Sequence, residues 1–408
     1  MDGRCRSCGS ASLRLFLSLG KMPLADALLD ADQLHNAVER YPLEVAFCPA
    51  CSLVQVLEDV PPQKLFVDNY LYFSSCSPAL LRHNREHALS LVESGRLEAG
   101  DLVVEIASND GYFLRNLSAL GVDVLGIDPA PTQATAAEAC GVPTLRDFFG
   151  LDLARHLRQE GRRPKVIVAN NVMAHVPDLN GFVKGIATLL ADDGVATIEN
   201  PSVAELVERC AFDTIYHEHH SYFSCNSVDA LVRRHGLFLN HVEYFPELHG
   251  GTLRWNVGHH DHPSPAVAEH LRREAAEGVN TFAYYADFAS RVQTVSDALL
   301  ALLLGLKGAG ASIAAYGAAA KGATLLNFAG IGSELIDFVV DRNEHKQGKY
   351  LPGVQIPILG TESLVRERPD YVLLLAWNFK NEILAQEEDY RRRGGRFVVP
   401  VPWPEIVE

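Results

Sequence analysis

The chain has 408 residues, 48% of them hydrophobic and 21% charged, which fits a folded protein with more than one core and excludes an intrinsically disordered one. Its formal net charge of −15 argues against a nucleic-acid binder, because phosphate contacts need clustered Lys and Arg. The start "MDGRCRSCGS" has no apolar signal segment and no run approaches about 18 uncharged apolar residues, so a cytoplasmic protein without a membrane span is expected.

Eight cysteines divide into two CxxC pairs, Cys5 with Cys8 and Cys48 with Cys51, and four scattered singles. One CxxC turn brings two thiolates to the same ion, and two such turns complete a tetrahedral shell of sulfur. Gly9 and Pro49 supply the turn chemistry around them. A segment this small has little apolar core, so residues 1–66 are predicted to form a domain held by structural Zn2+. A redox dithiol is the rival reading. Two pairs in one short segment favour the metal, and four thiolates leave it no open position for catalysis.

From 67 to 262 the pattern alternates strand and helix, as in a doubly wound α/β sheet. "DLVVEIASNDGYFLRNL" reads as a buried strand, a turn of small residues and a helix start; "VDVLGIDPA" is a second strand ending at Asp128. "PKVIVANNVMAHV" and "DGVATIENPS" are further apolar strands running into polar residues, Asn170 among them. Small side chains at Ala107, Ser108, Asn109 and Gly111 let backbone approach a ligand beside Glu105. Asp128 lies 23 residues beyond Glu105, where a carboxylate can accept both ribose hydroxyls of a nucleoside. "EIASNDG" is not GxGxxG, and an acidic group at the loop suits a cationic amino-acid end better than a diphosphate. S-adenosylmethionine is therefore favoured over NAD, with Asp147 and Phe148 of "LRDFFG" placed for the adenine. Ordinary turn chemistry is the alternative.

A helical connection is expected over 263–308, and the alternation restarts in 309–408 as a second Rossmann-like unit. There "YGAAAKG" has no large side chain at the turn and one lysine, Lys321, able to offset a diphosphate; tight helix–strand packing would explain the same small residues. "PDYVLLLAWNFKNEIL" is a strand with a polar end that carries Asn378.

"YHEHHSYFS", 216–224, concentrates three imidazoles, a carboxylate and two phenols. A metal site, an acid/base centre and a polar loop are each compatible with it. An HxH spacing without further obvious ligands is weak as a metal motif.

Zinc knuckles, "EIASNDGYFL", "YHEHHSYFS" and "YGAAAKG" occur here in one order, with "YLYFSS" (70–75) and "LHGGTLRW" (248–255). Over essentially its whole length the chain resembles the C-methyltransferases of deoxysugar biosynthesis. That resemblance implies a zinc-binding domain, a central S-adenosylmethionine domain and a C-terminal Rossmann-like domain, with substrate between the last two. The implied reaction methylates C-3 of a nucleotide-linked 4-keto-deoxyhexose, dTDP being the expected carrier, for antibiotic glycosides. C-5 methylation is the nearest alternative. By resemblance His219 is the general base, Tyr216 and Glu218 complete its cluster, and His175 and Tyr70 are further active-site positions. Tyr72, Tyr222, Lys321 and Asn378 are expected at the substrate, and a monomer is expected.

The implied chemistry suits these residue types. A carbon becomes nucleophilic only after a proton beside a carbonyl is removed, which calls for a base near neutral pKa and donors at the developing enolate oxygen. Tyr216 and His175 are candidate donors, and Glu218 would orient an imidazole if it touches one. An O- or N-methyltransferase on a small metabolite, a nicotinamide-dependent sugar oxidoreductase and a zinc-ribbon adaptor are the rivals.

Overall fold

Apolar runs such as "LVVEI", "VIVAN" and "IAAY" have no polar face to give to water, so they are strands covered on both sides. A computed structural model describes residues 3–66 and 72–408 and gathers the strands into three sheets. The first is antiparallel, in the order Arg14–Pro23, Arg40–Phe47, Val54–Val56, Ser221–Tyr222. Its last strand comes from the histidine-rich segment: Tyr222 pairs with Val54 and Ser221 with Gln55.

The central sheet has seven strands. In spatial order they are Phe238–Phe245, Thr252–Gly258, Val195–Pro201, Val166–Asn170, Leu102–Ile106, Asp123–Ile127 and Thr144–Leu145. All neighbours run parallel except at Thr252–Gly258, which is antiparallel to both its partners. The strand Leu102–Ile106 is first in sequence yet lies inside the sheet, with later strands on both sides. The crevice beyond its carboxyl end is therefore a topological switch point, where such sheets bind ligands.

The third sheet repeats this logic in the order Ile358–Leu359, Val339–Val340, Ile313–Tyr316, Tyr371–Leu374, Arg396–Val399, Glu405–Val407. Ile313–Tyr316 is the inner first strand, so "YGAAAKG" leaves it at a second switch point.

The predicted helical connection consists of Pro265–Glu277 and Phe288–Gly308. By length and composition alone the segment Phe282–Gly308 could cross a membrane. Its Phe288, Val292, Val295, Leu299 and Leu303 are instead buried in one core with Phe16, Leu43 and Val45 of the first sheet and Ile313, Val339 and Leu373 of the third. That shared core fixes the first and third units on either side of residues 203–215, which lead into the histidine-rich turn.

Candidate active site

The four predicted metal ligands converge. Cys5, Cys8, Cys48 and Cys51 place their sulfurs within 4.8 Å of one another, with Cys5–Cys51 at 3.5 Å and Cys8–Cys48 at 3.6 Å. A regular tetrahedron of Zn–S bonds near 2.3 Å separates sulfurs by about 3.8 Å, so the set fits zinc. Gly9 (φ 74°) and Ser52 (φ 60°) close the two knuckles by donating to the carbonyls of Cys5 and Cys48. Burial pushes the Cys48 thiol up to about 11, so holding thiolates here calls for a cation.

The loop after Leu102–Ile106 is a run of unusual backbone: Ala107, Asn109 and Gly111 all have positive φ, at 57°, 49° and 74°. Asp128 shapes it, accepting from the backbone N–H of Asn109 and of Ala130, each at 2.9 Å. Burial raises Asp128 to about 6 against those two bonds. Glu105 is buried; burial, then Asp110 and Asp128, push its pKa well up, against a backbone hydrogen bond from Leu114. Asp110 leaves one buried oxygen unmatched. A buried carboxyl beside a small-residue loop fits a ligand with a cationic end, because that charge would favour the ionised form of Glu105. Ser108 packs so close to Gly126 that a Cβ there would lie 2.5 Å from its Oγ, which is why that strand position is glycine. The other expected cofactor residues spread around this crevice. Asn170 is buried and donates to Asn84 at 3.0 Å, while Asp147 and Phe148 are exposed.

The segment 216–220 is a turn immediately before the strand Ser221–Tyr222. His219 Nδ1 is 2.8 Å from the Thr214 carbonyl, which can only accept, so that nitrogen carries the proton and Nε2 keeps the lone pair. Tyr216 Oη lies 3.0 Å from Nε2 and donates to it. The His175 ring stands edge-on to His219 with centroids 4.7 Å apart. Burial, then His175, hold the His219 pKa well below 6.5, and Lys321 adds to this. Burial drives His175 down to about 4 against a backbone hydrogen bond to Glu218. These rings are therefore neutral at pH 7.

The Glu218 carboxyl is buried and hydrogen-bonds the backbone of Asp26. Burial, then Asp26, push its pKa well up, and Lys346 opposes them. Lys346 donates to the Ala318 carbonyl at 2.8 Å and lies 3.7 Å from Asp26, whose backbone hydrogen-bonds the Glu218 carboxyl and ties the turn to the first unit. His217 reaches the Pro42 carbonyl at 3.1 Å, and His220 is fully buried. Tyr222 is buried in the first sheet with its ring 6.0 Å from His219. Tyr72 is 40% exposed, and its carbonyl accepts from Asn109 and Gln133 of the cofactor crevice. Tyr70 lies outside the described residues.

The third unit closes the site. Tyr216 packs against Ala320 and Ala323 of the "YGAAAKG" helix and against Ala25. Lys321 Nζ donates to Asn378 at 2.6 Å and sits 4.6 Å from the Trp377 ring. Trp377 Nε1 donates to Asp213 at 2.6 Å, one residue before the carbonyl that holds His219. Burial lowers Lys321 to about 8, with Asp213 opposing; burial raises Asp213 to about 6, with Lys321 and Trp377 opposing.

Three features escape sequence reasoning: the Thr214 carbonyl, the Asp213–Trp377 pair and the Glu199 cluster. Thr214 acts through its backbone and leaves no residue-type signal, whereas Asp213 and Trp377 find each other 164 positions apart. A third is a buried cluster at the carboxyl edge of the central sheet, where Glu199 meets Arg254 at 2.5 Å and His83 at 3.0 Å.

Family models match the chain in the same order. A zinc binding domain model covers residues 5–66, a methyltransferase domain model 79–242, and a C-methyltransferase C-terminal domain model 247–402. The C-methyltransferase NovU of Streptomyces niveus is 36% identical over 99% of this chain and 96% of its own. A ubiquinone biosynthesis O-methyltransferase of Methylobacterium nodulans is 36% identical over only 24% of this chain and 40% of its own. Magnesium protoporphyrin IX methyltransferase from Synechocystis PCC 6803 is similar at a TM-score of 0.35, with 13% identity over 48% of this chain and 88% of that one, a likeness too low to bear on function.

Proposed function

Because this chain belongs to the C-methyltransferase family, we propose that it moves the methyl group of S-adenosylmethionine to C-3 of a dTDP-linked 4-keto-deoxyhexose, in antibiotic deoxysugar biosynthesis. The single observation that supports carbon as the acceptor is the state of His219: Thr214 fixes the proton on Nδ1, leaving a neutral imidazole whose Nε2 lone pair accepts from Tyr216, itself packed against Ala25 of the first unit and Ala320 and Ala323 of the third.

The loop 105–111 and Asp128 would hold S-adenosylmethionine, which would supply an electrophilic methyl. His219 Nε2 removes the proton from the carbon beside the ketone. For this Tyr216 turns its hydroxyl from Nε2 to the ketone oxygen, so one movement frees the base and supplies a donor for the enolate. His175 borders the base, and Glu218 acts on the turn rather than on the ring, tying it to Asp26 and Lys346. Lys321, Asn378, Tyr72 and Tyr222 bind the sugar nucleotide, Lys321 offsetting its diphosphate. The zinc set holds the first sheet, which pairs with Ser221–Tyr222 and so fixes the catalytic turn.

Incubation with S-adenosylmethionine and a dTDP-4-keto-2,6-dideoxyhexose should yield a sugar heavier by one methyl. Carbon NMR should place that methyl on C-3. A methyl on oxygen or nitrogen would overturn this reading, and one on C-5 would move the acceptor position.

A further inference from the structure

The turn at 248–251 joins two strands of the central sheet, Phe238–Phe245 and Thr252–Gly258, at the ligand edge. Three successive residues have positive φ: His249 at 53°, Gly250 at 85° and Gly251 at 118°. The glycines are explained by contact, since a Cβ on Gly250 would lie 3.0 Å from Trp377 and one on Gly251 2.5 Å from Glu205. Those contacts do not account for a histidine. Non-glycine residues are uncommon in this backbone region, and such positions cluster at functional sites.

His249 also leaves a nitrogen unmatched. Its Nε2 is buried without a hydrogen-bond partner, as are nitrogens of other buried histidines such as His87 and His220, although buried polar groups in proteins are generally paired. The ring stands edge-on to Phe379, with centroids 6.4 Å apart. Phe379 follows Asn378, which holds Lys321, and Trp377, which holds Asp213 beside Thr214. The segment 377–379 therefore touches the His249 turn, the lysine and the turn of the base together. Burial, then Lys321, lower His249 to about 4, so at neutral pH it is an uncharged imidazole with one N–H to give.

We propose that His249 is a second hydrogen-bond donor of the acceptor site, its Nε2–H meeting the ketone oxygen of the acceptor as negative charge develops there. This assignment rests on the carbon-methylation reading above. When His219 takes the proton from carbon, the C–H electron pair passes into the new C=C bond and the C=O pair moves onto oxygen. His249 and Tyr216 donate to that oxygen, and His249 keeps its proton throughout. As the oxygen pair returns, carbon forms its bond to the methyl and the sulfonium S–CH3 bond breaks. The proton on His219 then leaves to solvent. Nothing is oxidised or reduced. A neutral imidazole suits this role because it donates without transferring its proton.

Two substitutions separate chemistry from architecture. His249→Asn tolerates the left-handed backbone but is too short to reach the Nε2 position, whereas His249→Gln carries an amide N–H there. Both are measured for methyl transfer, for acceptor affinity by calorimetry, and for exchange of the acidic C–H of a dTDP-4-keto-2,6-dideoxyhexose in heavy water. The Asn variant should lose on the order of 100-fold or more in kcat and in exchange, with acceptor affinity within about three-fold; Gln should recover at least about a tenth of the loss. An Asn variant with near wild-type kcat and exchange removes the assignment alone. So does loss of acceptor binding in both variants, which would mark His249 as architectural. A wild-type enzyme that neither exchanges nor methylates this sugar removes the reading beneath it as well.

Discussion

Replacing Lys321 by Gln tests whether the third unit takes part in turnover. The ammonium is buried against Trp377 and bonded to Asn378, and burial has brought its pKa down to about 8. If the diphosphate is bound by the charged form, kcat/KM for the acceptor must fall as pH rises through that value. About nine-tenths of the plateau should remain at pH 7 and about a tenth at pH 9. A lysine at its ordinary pKa near 10.4 would keep nearly all activity at pH 9, so the two cases differ by about ten-fold there. The Gln variant should show a lower plateau without the alkaline limb. Lys321 also repels a proton on His219, so its removal should move the acid limb to higher pH. Asp213, held near 6, and His249, near 4, titrate below the plateau and leave the alkaline limb to Lys321. The assay is initial rate at low acceptor concentration from pH 5 to 10, read as demethylated cofactor. A wild-type profile flat to pH 9.5, or a limb near 8 that survives in the Gln variant, would refute the reasoning.

His219→Asn should lose about 100- to 10,000-fold in kcat while calorimetry still shows cofactor binding; turnover near wild type would reassign the base. Because the His219 pKa lies well below 6.5, wild-type activity should not fall as pH drops from 7.5 to 6.5, and a limb centred at 6.5 or above would contradict that. Elemental analysis should find one zinc per chain, and Cys48→Ser should lower both zinc content and the thermal midpoint; an unchanged midpoint in a zinc-free variant would show that the metal adds no folding energy. Arg254→Met removes the charged partner of the buried Glu199, leaving it His83, and should cost about 3 kcal/mol at pH 7. Burial works to raise Glu199, but His83 and Arg254 outweigh it and hold the folded pKa at about 2, below the ordinary 4.5. The unfolded chain therefore binds the extra proton, and stability of about 3 kcal/mol, present above 4.5, is lost as pH falls toward 2. The deficit of the variant should shrink between pH 7 and pH 3 in thermal unfolding; equal deficits would count against this account.

Much of this protein was legible in its local sequence. CxxC spacing is short enough to specify a two-thiolate turn, and both pairs join one four-sulfur set. Uninterrupted apolar runs marked the inner strands of both parallel sheets, because a strand covered on both faces has no polar positions to show. The two antiparallel strands Phe238–Phe245 and Thr252–Gly258 were less visible, since mixed positions such as Asn240, His241, Arg254 and Asn256 interrupt the pattern.

The residue types of "YHEHHSYFS" were equally plain, but not their division of labour. Only the tertiary structure decided that a backbone carbonyl, rather than Glu218, holds the His219 proton, and that Glu218 faces Asp26 and Lys346. It also decided that the histidine-rich turn completes the zinc unit's sheet through Ser221–Tyr222, and that Asp213 meets Trp377 across 164 positions. The physical reason is range. Periodicity and turn chemistry act over a few residues and so can be read along the chain. Orientation of a buried side chain is set by whichever groups packing brings to it, and those lie wherever the chain returns.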